Sequence, residues 1–194
     1  FKNINGVWSQ IGNDIFNSIE SSFFGKSLKL NGHGDTIVIS SENHVNVYEN
    51  INSSWNQIGS SLTADTRDVS ISDNGLRITT TSDITGYWGP PYNSHYGNVY
   101  VYENINSEWS LVGTSIDGET AEGRFGFSTS LSSDGKYLAV GQPNSPSVLP
   151  NNGPYTTGLV KVFENKDSSW TQIGSDILPN SGFGSDPGWP AHFG

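Results

Sequence analysis

The sequence predicts an all-β chain built from repeated sheets of four short antiparallel strands, and three observations carry that expectation. One stretch occurs four times: Phe1 to Gly12, Tyr48 to Gly59, Tyr102 to Gly113 and Phe163 to Gly174. Each copy has an aromatic seven residues before a tryptophan and an Ile-Gly or Val-Gly pair after it. The tryptophans, Trp8, Trp55, Trp109 and Trp170, are 47, 54 and 61 residues apart. Self-similarity at that period marks a repeat architecture, and the length suits one blade of a β-propeller. Finally, the segments between the copies alternate at period two and are punctuated by Gly, Asn and Asp, with no stretch of helical period.

Taken in order, residues 1–15 read as the end of a unit that begins before the sequence does. Asn5-Gly6 is a tight-turn signal ahead of an outer strand, Val7 to Ile11. A first whole unit spans 23–62. Phe24 to Leu30 is its strand one, Asn31 to Asp35 its turn, and Thr36 to Ser40 its strand two. That second strand is a continuous apolar run, as expected of a strand covered on both faces. A short link, 41–44, leads to Val45–Tyr48, and the Trp55 strand closes the unit. A second unit, 66–116, repeats the order with Val69–Ile71, the turn 72–75, Leu76–Thr79, Val99–Tyr102 and the Trp109 strand. A third, 124–177, uses Phe125–Leu131, the turn 132–135, Tyr137–Pro143, Leu159–Phe163 and the Trp170 strand. Residues 178–194 are a connector toward a further unit. Val99 and Val101 face one side of their strand and Tyr100 and Tyr102 the other. A sheet apolar on both sides needs a neighbour on both sides, which radial stacking provides. Three and a half units do not close a ring of four to eight blades. The sequence therefore reads as part of a larger propeller, with a linear stack of the same sheets as the structural alternative.

Composition narrows the function classes. The 194 residues carry 19 acidic and 9 basic side chains, a formal net charge of −10. Such a surface repels phosphate backbones and argues against nucleic acid as a partner. Only 14% of residues are charged and 23 are glycine, a polar, turn-rich profile that fits an extracellular or cell-surface protein. Cysteine is absent, which excludes a disulfide framework and thiolate chemistry. No apolar run reaches the roughly 18–20 residues needed for a helical membrane span, so membrane insertion is not expected. Methionine is absent as well, so the initiator and any signal peptide lie outside the sequence.

Phe125-Gly126, followed by Gly141-Gln142-Pro143, resembles the FG-GAP repeat of integrin-like β-propellers. The whole unit is similar to propeller repeats of large secreted proteins from marine bacteria, algae and giant viruses. The Phe-Gly pair recurs at 24–25 and 193–194 and is missing from the second unit; Gly-x-Pro occurs once. The resemblance covers essentially the whole chain and implies a surface, adhesion or matrix role. Integrin-type blades often bind calcium between strands one and two. Here those turns each hold one acidic residue, too few oxygens for that ion. No metal site and no cofactor are expected.

His33, His44, His95 and His192 never stand at metal-ligand spacing, and Asp117, Glu119 and Glu122 read as solvated connector charges. No nucleophile elbow is present, since no helix is expected. Catalytic residues are therefore not assigned. Asn52-Ser53-Ser54 is a glycosylation acceptor pattern in the turn between strands three and four. The links between strands two and three vary most in length, and they emerge on the same face as the connectors between blades. Variable loops on a rigid scaffold carry binding. Tyr87, Trp88, Tyr92, His95 and Tyr96 in the second such link, Tyr155 in the third, and Phe183 and Trp189 in the last connector are the candidate binding residues. The expected function is a non-enzymatic extracellular propeller that binds a protein or glycan ligand, or copies of itself in a larger assembly. The alternatives are the propeller of a carbohydrate-active enzyme, which would gather carboxylates or histidines at the inner starts of strands one, or a structural subunit of a filament or virion.

Overall fold

The structure, a computed structural model, describes residues 1–16, 23–64, 66–82, 96–120, 123–143 and 158–179. Among them all regular structure is strand, and no helix is long and apolar enough to cross a membrane. A two-stranded hairpin comes first, β1 (Lys2–Ile4) and β2 (Val7–Ser9). The next sheet is β3 (Leu28–Leu30), β4 (Thr36–Ser40), β5 (His44–Ile51) and β6 (Ser54–Gln57), with β7 (Leu62–Thr63) also on β5. The second sheet runs β8 (Thr66–Ile71), β9 (Arg77–Ser82), β10 (Asn98–Ile105) and β11 (Glu108–Leu111), with β12 (Ile116–Asp117) on β10. The third is β13 (Ser128–Leu131), β14 (Tyr137–Gln142), β15 (Leu159–Lys166) and β16 (Ser169–Gln172). Along each four-strand path the pairings are antiparallel between sequence neighbours, the up-and-down order of a propeller blade.

Two features depart from the sequence reading. Strand one was expected from Phe24 and from Phe125, yet β3 and β13 begin only at Leu28 and Ser128. Phe23 and Arg124 sit at φ 60°, Gly25 at 90° and Gly126 at 85°, so the chain turns before it extends. The next two amides converge on one carbonyl: Gly25 and Lys26 N–H on Ser40, Gly126 and Phe127 N–H on Gly141. Phe-Gly is thus a bulged entry rather than strand. The outer strand is also broken. After each tryptophan the chain turns at Gly59, Gly113 and Gly174 (φ 71°, 76° and 72°) and then rejoins the third strand. It does so as β7, as β12, and as the Val160–Ile177 bridge.

The two-residue turns between strands three and four hold Asn52-Ser53, Asn106-Ser107 and Asp167-Ser168, every one at positive φ, as is Asn5-Gly6. That is the I′ geometry whose twist matches the flanking strands. Asn3 Oδ1 and Asn104 Oδ1 accept the amides of Gly6 and Ser107 and so close their turns. Between strands one and two, Ser72 Oγ donates to Asn74 Oδ1 and Ser132 Oγ to Asp134 Oδ1, both at 2.7 Å.

Two apolar layers lie between sheets. Val38, Val45 and Val47 of the first sheet meet Val69, Ile71 and Ile78 of the second, with Tyr102 and Trp109 packed alongside. Val99 and Val101 of the second meet Leu138, Val140 and Phe163 of the third, with Trp170 alongside. The middle sheet is therefore covered on both faces, as the Val/Tyr alternation of β10 requires. Each buried Val or Leu contributes about 1.5–3 kcal/mol by leaving water. Burial raises the Tyr102 hydroxyl above its ordinary pKa.

The repeated tryptophan joins neighbouring units. Trp55 Nε1–H donates to the carbonyl of Ile11 (3.2 Å), and Trp109 Nε1–H to that of Ile58 (3.0 Å). Each indole lies over the glycine that follows its acceptor: a Cβ on Gly12 would stand 2.8 Å from Trp55 Cδ1, and one on Gly59 2.7 Å from Trp109 Cδ1. Trp170 also lies near Gly113 but farther off, 3.9 Å from such a Cβ, which would meet the Ser168 carbonyl first, and its N–H has no partner. The Ile/Val-Gly pair of one unit is the seat for the tryptophan of the next.

Gly59→Ala puts a methyl against Trp109 in left-handed backbone, whereas Gly174→Ala carries the same backbone strain with no described atom within 4 Å. Gly174→Ala should cost about 1–2 kcal/mol and Gly59→Ala roughly 1–3 kcal/mol more. Urea midpoints read the difference, and equal losses would count against the seat. The hydrogen bond from Ser132 is the largest cause holding the Asp134 carboxyl below its ordinary pKa. A lowered pKa stabilises the fold above the unfolded-state value, and that contribution fades as pH falls through the folded-state value. In Ser132→Ala the Asp134 pKa should rise, as carboxyl NMR titration would show, and acid unfolding should begin at higher pH.

Candidate functional site

The ladders sort the connections onto two faces. On one, the links between strands one and two are five residues each (31–35, 72–76 and 132–136), and those between strands three and four are two residues each (52–53, 106–107 and 167–168). On the other, the links between strands two and three are three, fifteen and sixteen residues (41–43, 83–97 and 143–158). The connectors between blades emerge on this second face too. One face is thus built from fixed tight turns and the other from elements of unequal length.

Of the expected binding residues, Tyr96 lies on the variable face with 42% of its surface exposed. Tyr87, Trp88, Tyr92, His95, Tyr155, Phe183 and Trp189 lie outside the described residues. The foot of the second long link is tightly held. Gly118 N–H donates to the Gly97 carbonyl at 2.9 Å. A side chain on Gly97 would strike the Phe125 carbonyl, and one on Gly118 that of Tyr96. Phe125 is itself fixed in the core, edge-on to Phe163 with centroids 6.1 Å apart. Tyr96 therefore stands on a braced base between two blades. Asn52 is exposed at φ 52° in its I′ turn, on the opposite, fixed-turn face.

The inner starts of strands one hold residues that the sequence reading did not single out. The Arg67 guanidinium lies 3.8 Å from the Phe127 ring centroid, and that of Arg124 4.9 Å from it, within cation–π range. Asp68 ties three sheets together. Its Oδ2 accepts Thr129 N–H (2.7 Å) and Oγ1–H (3.1 Å), and its Oδ1 accepts Ser27 Oγ–H (3.2 Å). Lys26, Arg67 and Phe127 occupy one column of the repeat, because Leu28, Val69 and Thr129 two places on pair with Ile39, Thr80 and Val140. Reading the repeats column by column would have found them. The absent Phe-Gly of the second unit hid that column: Thr66 replaces the glycine, and its hydroxyl accepts Thr81 N–H.

Elsewhere the candidate residues do not converge. His33 is in a fixed turn, His44 opens β5, and His95 and His192 lie outside the described residues. Asp117 is bonded to Asn98, and Glu119 to Lys161 Nζ (2.9 Å). Among the described residues no three His, Cys, Asp or Glu side chains could hold a metal together. What the inner rim offers is two guanidiniums, an aromatic face and a structurally committed carboxylate.

No family model and no curated protein sequence matches the chain. Solved structures do. A candidate 6-phosphogluconolactonase of Bacteroides fragilis aligns at TM-score 0.51 and 16% identity, over 78% of this chain and 38% of that one. Another, of Bacteroides uniformis, aligns at TM-score 0.51 and 14% identity, over 78% and 39%. The chain spans about two fifths of their length. At that identity the likeness shows the fold alone, and the fold is a β-propeller: the sheets are blades.

Asp68→Ala would leave the buried Thr129 amide without its acceptor. It should lower stability by about 1–3 kcal/mol, read as a urea midpoint shift with unchanged slope. An unaltered midpoint would mean that the three inner strands do not depend on this carboxylate.

Proposed function

We propose that this chain is part of a non-catalytic extracellular β-propeller whose variable face binds a protein or glycan ligand. The observation that carries the reading is the contrast between the faces: five- and two-residue turns on one, links of three, fifteen and sixteen residues on the other. Packing alone does not require that inequality, since the first blade closes with three residues. Length and aromatic content are concentrated where a rigid scaffold can present them, and aromatic side chains give large contact area at low entropic cost. Trp88 and Tyr92 are the proposed anchors, with Tyr96 at the braced foot of their link. The acidic, cysteine-free, glycine-rich composition supports an extracellular setting, in which Asn52 on the opposite face could carry a glycan without obstructing the ligand. The FG-GAP reading of the repeats is supported by Phe125-Gly126, whose bulged entry closes on Gly141 of the Gly-x-Pro segment. The activity indicated by the names of the Bacteroides proteins is theirs. An enzymatic reading of this chain has no convergent acid or base among the described residues in its favour.

The test is a glycan and surface-protein array probed with the chain and with a Trp88→Ala/Tyr92→Ala variant. The variant should bind about tenfold or more weakly with an unchanged melting temperature. Equal binding by the two proteins would overturn the assignment.

A further inference from the structure

On the fixed-turn face the second and third blades meet around an open cavity of about 310 Å³, at the small end of the roughly 300–1,000 Å³ of small-molecule sites. Leu76, Arg77 and Glu103 of the second blade form one wall, and Asp134, Lys136 and Asn165 of the third form the other. Between the first and second blades the corresponding turns close on each other instead. Asn31 Nδ2–H donates to the Asp73 carbonyl at 3.1 Å, and a Cβ on Gly32 would stand 2.6 Å from the Asp73 carboxyl carbon. The residue beneath the following turn differs between the two joints. Thr36 and Arg77 hold the same place in the repeat, pairing with Glu49 and Glu103. A Cβ on Gly75 would lie 3.0 Å from Thr36 Oγ1, and one on Gly135 2.8 Å from Arg77 Cδ. The longer arginine reaches on to the Gly135 carbonyl with Nη1–H (3.0 Å) while its Nε–H holds Glu103 (3.2 Å), and the cavity opens beside it.

The chemistry of the walls selects the occupant. Asn165 Nδ2 is buried and has no hydrogen-bond partner, and a buried donor left unpaired is a cost that a bound acceptor removes. Both cations are already paired, Arg77 with Glu103 and Lys136 with Glu164, the latter at 3.2 Å. An anion would therefore meet Glu103 and Asp134 on a chain of net charge −10, and a cation would meet Arg77 and Lys136. What these walls suit is a neutral molecule that accepts and donates at adjacent atoms. We propose that the cavity binds one neutral sugar ring. Its hydroxyls accept from Asn165 Nδ2, Lys136 Nζ and the further N–H groups of the Arg77 fork, and donate to the Glu103 and Asp134 carboxylates. Leu76, 50% exposed, supplies an apolar wall for the C–H face of the ring. This site lies on the face opposite the long links, so it does not rest on the ligand-binding reading given above.

Amide NMR titration of the 194-residue chain with glucose, galactose, mannose and N-acetylglucosamine tests the proposal, with glucuronate and glycine as charged comparisons. At least one neutral sugar should shift the amides of residues 74–77, 103, 134–136 and 165, with a dissociation constant of about 1–10 mM, as expected of so small a ligand. Asn165→Ala removes the unpaired donor and should weaken binding about fivefold. Lys136→Ala should also weaken it, and it leaves Glu164 paired with Lys166 at 2.8 Å, so the melting temperature should hold. The Trp88→Ala/Tyr92→Ala variant should bind these sugars as the parent does. Four outcomes would each overturn the proposal. One is no shift at these amides with any neutral sugar up to about 100 mM. The others are tighter binding of glucuronate or glycine at the same amides, equal binding by the parent and both cavity variants, and loss of sugar binding in the Trp88→Ala/Tyr92→Ala variant, which would move the sugar to the other face.

Discussion

The indole of each repeat resting on the Ile/Val-Gly pair of the repeat before it is the constraint from which the rest of the architecture follows. A single blade is a thin sheet with apolar side chains on both faces, and it gains stability only when both are covered. The apolar layers do most of this covering, but apolar contact has no direction and would tolerate many angles between sheets. An indole that must reach one carbonyl and fit above one side-chain-free residue has far less latitude. It fixes how one blade leans on the next, and with it which edges and which loops end up together. The glycine serves twice, leaving room for the ring and taking the left-handed backbone that breaks the outer strand. The break sends β7 and β12 back onto the third strand and aims the chain toward the next blade.

Inner polar ties complement that outer joint. Asp68 holds Ser27 and Thr129, Ser70 Oγ accepts Leu131 N–H, and the Thr79 and Thr129 hydroxyls meet at 2.9 Å. Each blade is thus pinned at its outer edge by an indole and near its inner edge by hydroxyls and a carboxylate. Between those pins lies the dry layer of valine, leucine and isoleucine. A scaffold held at both margins tolerates links of very different length on one face without shifting the sheets, because a long loop adds closure entropy only slowly.

How far the sequence could be read follows from the range of the interactions. Strand order, the alternation in β10 and the Asn5-Gly6 turn are local, written in spacing and turn chemistry, and they were legible. The Phe-Gly segments were mistaken for strand because alternation persists through a bulge in which two amides share one carbonyl. The broken outer strand was missed for a related reason. Gly59 was visible, but it reads equally as the end of a strand, and only the pairing of Val45 with Leu62 shows the chain returning to the third strand. At the candidate site, the variable face followed from topology. The pairing of Arg67 and Arg124 with Phe127 did not, since it joins the starts of two different blades.

The sequence by itself determined the unit, its four strands and the two-sided apolar sheet, because side-chain period and turn preference act within a few residues. Only the tertiary structure decided what the repeated signature of each unit is for. Tyr/Phe-x-Asn closes a turn, Trp reaches across to the preceding blade, and Ile/Val-Gly receives the Trp of the following one. Those roles belong to a contact between repeats, and no repeat taken alone contains both of its partners.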